Sequence, residues 1–117
     1  MISIFNWNIF CDNIRFKSSY KLILKYKPDI ICLQELPYTE LENIKRFFPE
    51  YKFYFSKDCS HMYSNKSKKD ISYLATGILK KIKHSVKTID LDYSNENFLT
   101  RKYNFKECMS SLILTFE

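Results

Sequence analysis

Apolar residues recur along this chain in two rhythms, and the switches between them mark out its elements. Ile2, Ile4, Phe5, Trp7, Ile9 and Phe10 crowd the first ten residues, which predicts a strand from Ile2 to Phe10 with Asn8 as a polar interruption. Between Lys17 and Lys27 the spacing changes: Tyr20, Ile23, Leu24 and Lys27 fall near helical intervals. Pro28 closes that helix, because its ring disfavours the right-handed helical conformation in the residue before it. Pro28-Asp29 turns the chain into Ile30-Ile31-Cys32-Leu33, an unbroken apolar run of the kind a buried strand carries. That strand is expected to end at Gln34 and to deliver Glu35 at its C-terminal end. A strand, a helix and a second strand in so short a stretch predict a βαβ unit with parallel strands.

Thr39-Glu40-Leu41-Glu42 has the form of a capping box, in which the Thr39 hydroxyl and the Glu42 carboxylate would satisfy backbone N–H groups at the helix start. The helix it opens would bury Leu41, Ile44 and Phe48 and stop at Pro49. Tyr51, Phe53 and Phe55 then alternate as a third strand. Residues Asp58 to Asp70 are polar and rich in Ser and Lys, which predicts an exposed loop. Further strands are expected over Ile71–Ile82, Val86–Leu91 and Cys108–Phe116. The fold class read from this order is α/β, a mixed sheet with flanking helices, with sheet dominant toward the C-terminus. No internal repeat or interdomain linker divides residues 1–117.

Composition narrows the class of protein. The chain has 117 residues, 45% hydrophobic and 17% aromatic, enough for a buried core and too apolar for general disorder. Its formal net charge of +6 favours a polyanionic partner such as nucleic acid, although the basic residues are scattered apart from Lys66, Lys68 and Lys69. A Lys-rich solvated surface explains the same charge. The abundance of Lys, Ile, Asn, Tyr and Phe suggests an AT-rich coding genome, as in large DNA viruses. Cys11, Cys32, Cys59 and Cys108 are widely spaced, with no C-x-x-C pair, so a reduced intracellular location in cytoplasm or nucleus is expected rather than secretion. Cys59 and His61 lack a second ligand pair at zinc-site spacing. No run reaches membrane-spanning length, and no signal peptide is evident at the N-terminus.

A carboxylate at the mouth of a buried strand must be solvated, paired or metal-bound, because an isolated charge there is costly. Glu35 is such a carboxylate, and Asn8 is an amide at the end of the neighbouring strand. Taken one at a time, Asn8 could be a turn-forming residue and Glu35 a solvated loop residue. Considered together, the segments Phe5-Asn6-Trp7-Asn8-Ile9-Phe10 and Lys25-Tyr26-Lys27-Pro28-Asp29-Ile30-Ile31-Cys32-Leu33-Gln34-Glu35 resemble the opening of the endonuclease/exonuclease/phosphatase superfamily. These are metal-dependent phosphodiesterases and phosphatases that include the DNase I-like nucleases. Trp7-Asn8-Ile9-Phe10-Cys11-Asp12 is similar to the W-N-x-aromatic-x-D opening of the tyrosyl-DNA phosphodiesterase 2-like branch. Ala75-Thr76-Gly77-Ile78-Leu79-Lys80-Lys81 resembles, imperfectly, that superfamily's G-x-A-I-L-S-K strand.

This resemblance implies the N-terminal half of a DNase I-like four-layer α/β sandwich, a Mg²⁺ held by Glu35 with Asn8 as second ligand or phosphate donor, and supporting roles for Gln34 and Arg15. Helix-surface exposure accounts equally well for Arg15, and a strand-end hydrogen bond for Gln34. Ser111 stands where the branch often carries a basic residue. The superfamily's later Tyr, Asp-x-Asn and Ser-Asp-His motifs do not follow here, and His61 and His84, lacking that context, read as surface loop residues. The implied protein is therefore a truncated or split Mg²⁺-dependent phosphodiesterase, inactive as a free chain. Its expected partners are nucleic acid, a separate C-terminal half, or a second copy meeting an exposed sheet face. The alternatives are a non-catalytic nucleic-acid-binding or protein-interaction module on the same half-fold, and an unrelated small basic α/β protein.

Overall fold

The computed structural model describes residues 1–9, 17–60, 71–91 and 109–116. Strand β1 (Ile4–Asn8) leads to helix α1 (Ser18–Tyr26) and strand β2 (Ile30–Pro37). A short 3₁₀ turn (Tyr38–Glu40) runs into helix α2 (Leu41–Phe47), followed by β3 (Tyr51–Ser60), β4 (Ile71–Leu79), β5 (His84–Leu91) and β6 (Met109–Phe116). Four strands form one mixed sheet in the order β1-β2-β4-β3, and β5 pairs with β6 in a separate two-stranded sheet. The α/β class is as expected. So is the parallel pairing of β1 with β2, in register from Ile4 opposite Ile30 to Asn8 opposite Gln34. Both other pairings in the main sheet are antiparallel.

Side-chain alternation assigns two faces to this sheet. Ile31, Leu33, Ala75, Phe53 and Phe55 share one face, and helices α1 and α2 cover it through Tyr20, Ile23, Ile44 and Phe48. The opposite face is not an open apolar surface in the centre of the sheet. Ile30, Ile78, Thr76 and Ser56, all of the opposite parity, are buried as well. β2 and β4 are thus enclosed on both sides, as their unbroken apolar runs demand. The expectation of one wholly exposed face is corrected accordingly.

Several boundaries differ from the sequence pattern for local reasons. Lys27 does leave the right-handed helical region before Pro28, but into the left-handed one (φ 46°, ψ 57°), where its N–H closes on the Ile23 carbonyl at 2.8 Å. Leu24, placed on the helix by spacing, faces solvent. The capping box does not form. Thr39 is taken into the 3₁₀ turn that follows Pro37, Glu40 occupies the N-cap without a side-chain cap, and Glu42 bonds Lys45 Nζ at 2.7 Å instead. β3 continues through Ser60 into the predicted loop, and the rest of that loop, 61–70, lies outside the described residues. β4 stops at Leu79, where the Ile82 N–H returns to the Leu79 carbonyl in a turn.

Gly77, the only glycine, sits opposite Phe53 on the helix-covered face. A Cβ added there would lie 2.5 Å from the Phe53 ring, well inside contact distance. Its role is therefore to admit that ring, which also packs against Phe48, Tyr51 and Phe55 and has little room to retreat. Gly77→Ala is expected to destabilise the fold by about 1–3 kcal/mol, the usual cost of overpacking a core. Urea unfolding measures this, and Phe53→Leu in the same chain should restore part of the loss.

Candidate functional site

The resemblance-derived pair comes together. Asn8 Nδ2 donates to Glu35 Oε1 at 2.9 Å, and beside it Gln34 Nε2 donates to Asn6 Oδ1 at 2.7 Å. Four polar side chains from β1 and β2 thereby form two cross-strand bonds at one end of the strand pair. Asn8 terminates β1, which spans Ile4–Asn8 and is shorter at both ends than the Ile2–Phe10 strand expected from the pattern. Glu35 does not terminate β2; that strand continues to Pro37, and Glu35 lies within it.

A β-bulge is what turns Glu35 toward Asn8. Leu33 pairs with Ala75 and Leu36 with Tyr73, so β2 advances three residues while β4 advances two. Leu33 and Leu36 both belong to the helix-side core. Gln34 alone would satisfy the alternation between them, so Glu35 is the surplus residue. It takes a left-handed conformation, φ 58°, that a non-glycine residue adopts at a cost. In a regular strand its carboxylate would share the apolar face with Leu33. The bulge places it instead on the side of Asn8 and Gln34. A conformation held against local preference at a polar cluster is a feature associated with functional sites.

Other polar groups organise the surroundings. Asp29 Oδ2 accepts from the N–H and hydroxyl of Ser3, each at 2.9 Å, while the Asp29 N–H donates back to Ser3 Oγ at 3.0 Å. The bonds from Ser3, first from its backbone N–H and then from its hydroxyl, hold the Asp29 carboxyl below its ordinary value of 3.8. A depressed carboxyl contributes stability that is present above its unfolded-state pKa and lost as pH falls through the folded one. Ser3→Ala keeps the backbone bond and removes only the hydroxyl one, so a modest stability gap between the parent chain and this variant should be present at neutral pH and narrower in acid, where Asp29 is protonated. Urea titrations at the two pH values test this, and a gap independent of pH would remove Asp29 from the account.

Sequence reasoning missed two further constellations. Glu40, only 7% exposed, accepts from Tyr20 Oη at 3.5 Å and Asn43 Nδ2 at 3.3 Å and lies 3.8 Å from Lys17 Nζ. Burial, reinforced by the Glu40 charge, pushes the Tyr20 phenol well above its usual range. His84 is not a loop residue; it opens β5, half-buried. Tyr54 Oη and His84 Nε2 are 2.9 Å apart, and His84 Nδ1 lies 2.7 Å from the Ile82 carbonyl. A carbonyl only accepts, so Nδ1 carries a proton, and Nε2 and the Tyr54 hydroxyl share the second hydrogen bond. Residues 30 apart in sequence make this pair, with no local pattern to announce it.

Cys32 is a free, half-buried thiol whose pKa is pushed up by burial, partly offset by a hydrogen bond with Thr76, as suits a small core residue rather than a reactive one. Arg15, His61 and the cluster Lys66, Lys68 and Lys69 lie outside the described residues. Ser111 lies in β6. Among the described residues, no three His, Cys, Asp or Glu side chains converge in a metal cluster, and no helix is long and apolar enough to cross a membrane. No protein-family model matches the chain, and no curated protein matches it.

Proposed function

We propose that this chain corresponds to the N-terminal half of a DNase I-like, Mg²⁺-dependent phosphodiesterase, with Asn8 and Glu35 as the metal-binding end of its site. The observation carrying this reading is the 2.9 Å Asn8–Glu35 contact, made possible by a bulge that moves the carboxylate off the apolar face. The donor chemistry fits the ion. Mg²⁺ takes oxygen ligands, keeps several waters and is commonly held by one or two carboxylates, so one carboxylate and one amide oxygen make a weak hydrated site. When bound, the metal would supply polarisation of a phosphoryl oxygen and stabilisation of a leaving oxygen. Glu35 would carry the charge that retains it, Asn8 would orient Glu35, and Gln34, anchored to Asn6, would stiffen the strand ends. The net charge of +6 supports a nucleic-acid substrate or partner.

One observation favours the non-catalytic module as a second reading. The only described histidine, His84, is engaged with Tyr54 on β3, at the far edge of the sheet from β1. Three strand spacings, about 14 Å, separate those strands. A general base within reach of Asn8 and Glu35 would have to come from elsewhere, and its loss typically costs about 10²–10⁴ in rate. The experiment is a Mg²⁺ titration followed by NMR, with parallel assays on single-stranded DNA and a 5′-phosphotyrosyl oligonucleotide. Millimolar Mg²⁺ should shift the Asn8 side-chain amide and the Glu35 carboxyl, without turnover of either substrate. Tight binding that leaves both signals unmoved would place the site elsewhere and sink the proposal.

A further inference from the structure

The outer edge of β1 offers a second, independent surface. The Ser3 carbonyl accepts from the Ile30 N–H at 3.0 Å, and the Ile9 N–H donates to the Gln34 carbonyl at 2.9 Å. Backbone groups alternate sides along a strand, so the odd-numbered residues of β1 face β2, and the N–H and C=O of Ile4 and Asn6 point away from it. Among the described residues β1 has a strand neighbour on one side only.

Proteins ordinarily guard such an edge with charge, proline, a bulge or a cover. The opposite edge of this sheet follows that rule: β3 carries exposed Lys52, and β6 runs beside it. β1 does not. Residues 1–9 contain no charged side chain and no proline in a chain of net charge +6. Ile4 is 63% exposed and Trp7 48% exposed. Of the two edge strands of this sheet, β1 is the one that carries no charged side chain.

We propose that β1 is a self-pairing edge, through which two copies of this chain join antiparallel about a twofold axis at Phe5. In this register Ile4 faces Asn6 of the partner subunit, and the two symmetric pairs exchange roughly four backbone hydrogen bonds. Phe5 meets its own counterpart at a non-hydrogen-bonded position, where side chains approach most closely. Phe5 already stacks on Trp7, with centroids 6.2 Å apart and planes 9° from parallel, so the pairing extends two rings into a row of four. The two four-stranded sheets become one continuous sheet, and the interface, only five residues long on each side, makes a weak dimer.

Sedimentation of the full chain from about 1 µM to about 500 µM tests this, since short interfaces of this kind dissociate in that range. A monomer–dimer equilibrium is expected. Ile4→Lys and Ile4→Pro should each weaken it by about tenfold or more, the first by placing charge on the edge and the second by removing an outward N–H. Neither touches the bonds to β2, so circular dichroism and the unfolding midpoint should stay near parent values. Phe5→Cys, oxidised at high concentration, should give a covalent dimer beyond the level of the parent chain, because opposed positions on the axis have disulfide geometry. A chain monomeric throughout the range, or a dimer unaffected by both Ile4 substitutions, overturns the proposal.

Discussion

Phe48→Ala should cost about 3–5 kcal/mol of folding stability, the range for truncating a fully buried Phe. Phe48 is completely enclosed and sits at the junction of α2 with the sheet. Its ring meets Tyr20 edge-on at 5.3 Å and Tyr51 edge-on at 6.1 Å, and lies 6.5 Å from Phe53. Removing it severs α1, α2 and β3 from their common contact and leaves a cavity that three rigid rings cannot close. Against a total of about 5–15 kcal/mol for a domain of this kind, the loss is about a fifth or more of the whole. The thermal midpoint should fall by roughly 10–25 °C. Phe47 supplies the control: it is the preceding residue, its ring lies against Tyr20 and Phe48, but about half of it stays exposed to solvent. Phe47→Ala should cost about 1–1.5 kcal/mol, roughly half the value for a fully buried side chain of this size. Equal losses in the two variants would show that the aromatic cluster is not the centre of the fold.

Phe48 also illustrates what was legible in the sequence. Leu41, Ile44 and Phe48 at helical spacing before Pro49, and Tyr51, Phe53 and Phe55 alternating after it, identify both elements and the faces they bury. The βαβ start was equally plain, because Pro28-Asp29 punctuates two apolar segments of different period. Bringing Asn8 and Glu35 to the same end of one strand pair required only that β1 and β2 be parallel neighbours, which the short connection favours; turning the Glu35 carboxylate onto the Asn8 side took the bulge as well. What could not be read was geometry decided by tertiary packing. Glu40 turns inward because Tyr20 and Asn43 await it, and that defeats the capping box. His84 opens a strand by pairing with Phe116, and its ring meets Tyr54 from a different sheet. The bulge at Glu35 depends on Leu33 and Leu36 both being claimed by the core, a fact visible only once the core is known.

Deleting Glu35 should leave the fold intact and eliminate the response of Asn8 to Mg²⁺. The two halves of this expectation follow from one observation. Between the Leu33–Ala75 and Leu36–Tyr73 pairs, β2 carries one residue more than β4. Excision equalises the two strands, and Leu36 then falls two positions after Leu33, where plain alternation already directs it to the core. A residue at φ 58° is removed with it, relieving roughly 1–2 kcal/mol of left-handed strain. The shortened chain should therefore unfold cooperatively within about 1 kcal/mol of the parent, or above it. That outcome would be unusual, since a one-residue deletion in a strand ordinarily reverses every side chain beyond it. Glu35→Ala, by contrast, retains the strained backbone without the carboxylate, so it should lose the metal response with no gain in stability. Comparing the two separates the cost of the bulge from the function of the charge. An unfolded deletion variant would mean that the bulge is required by the sheet itself, and its presence would then say nothing about a site. A Mg²⁺-dependent shift at Asn8 that persists in both variants would show that the ion is held without Glu35.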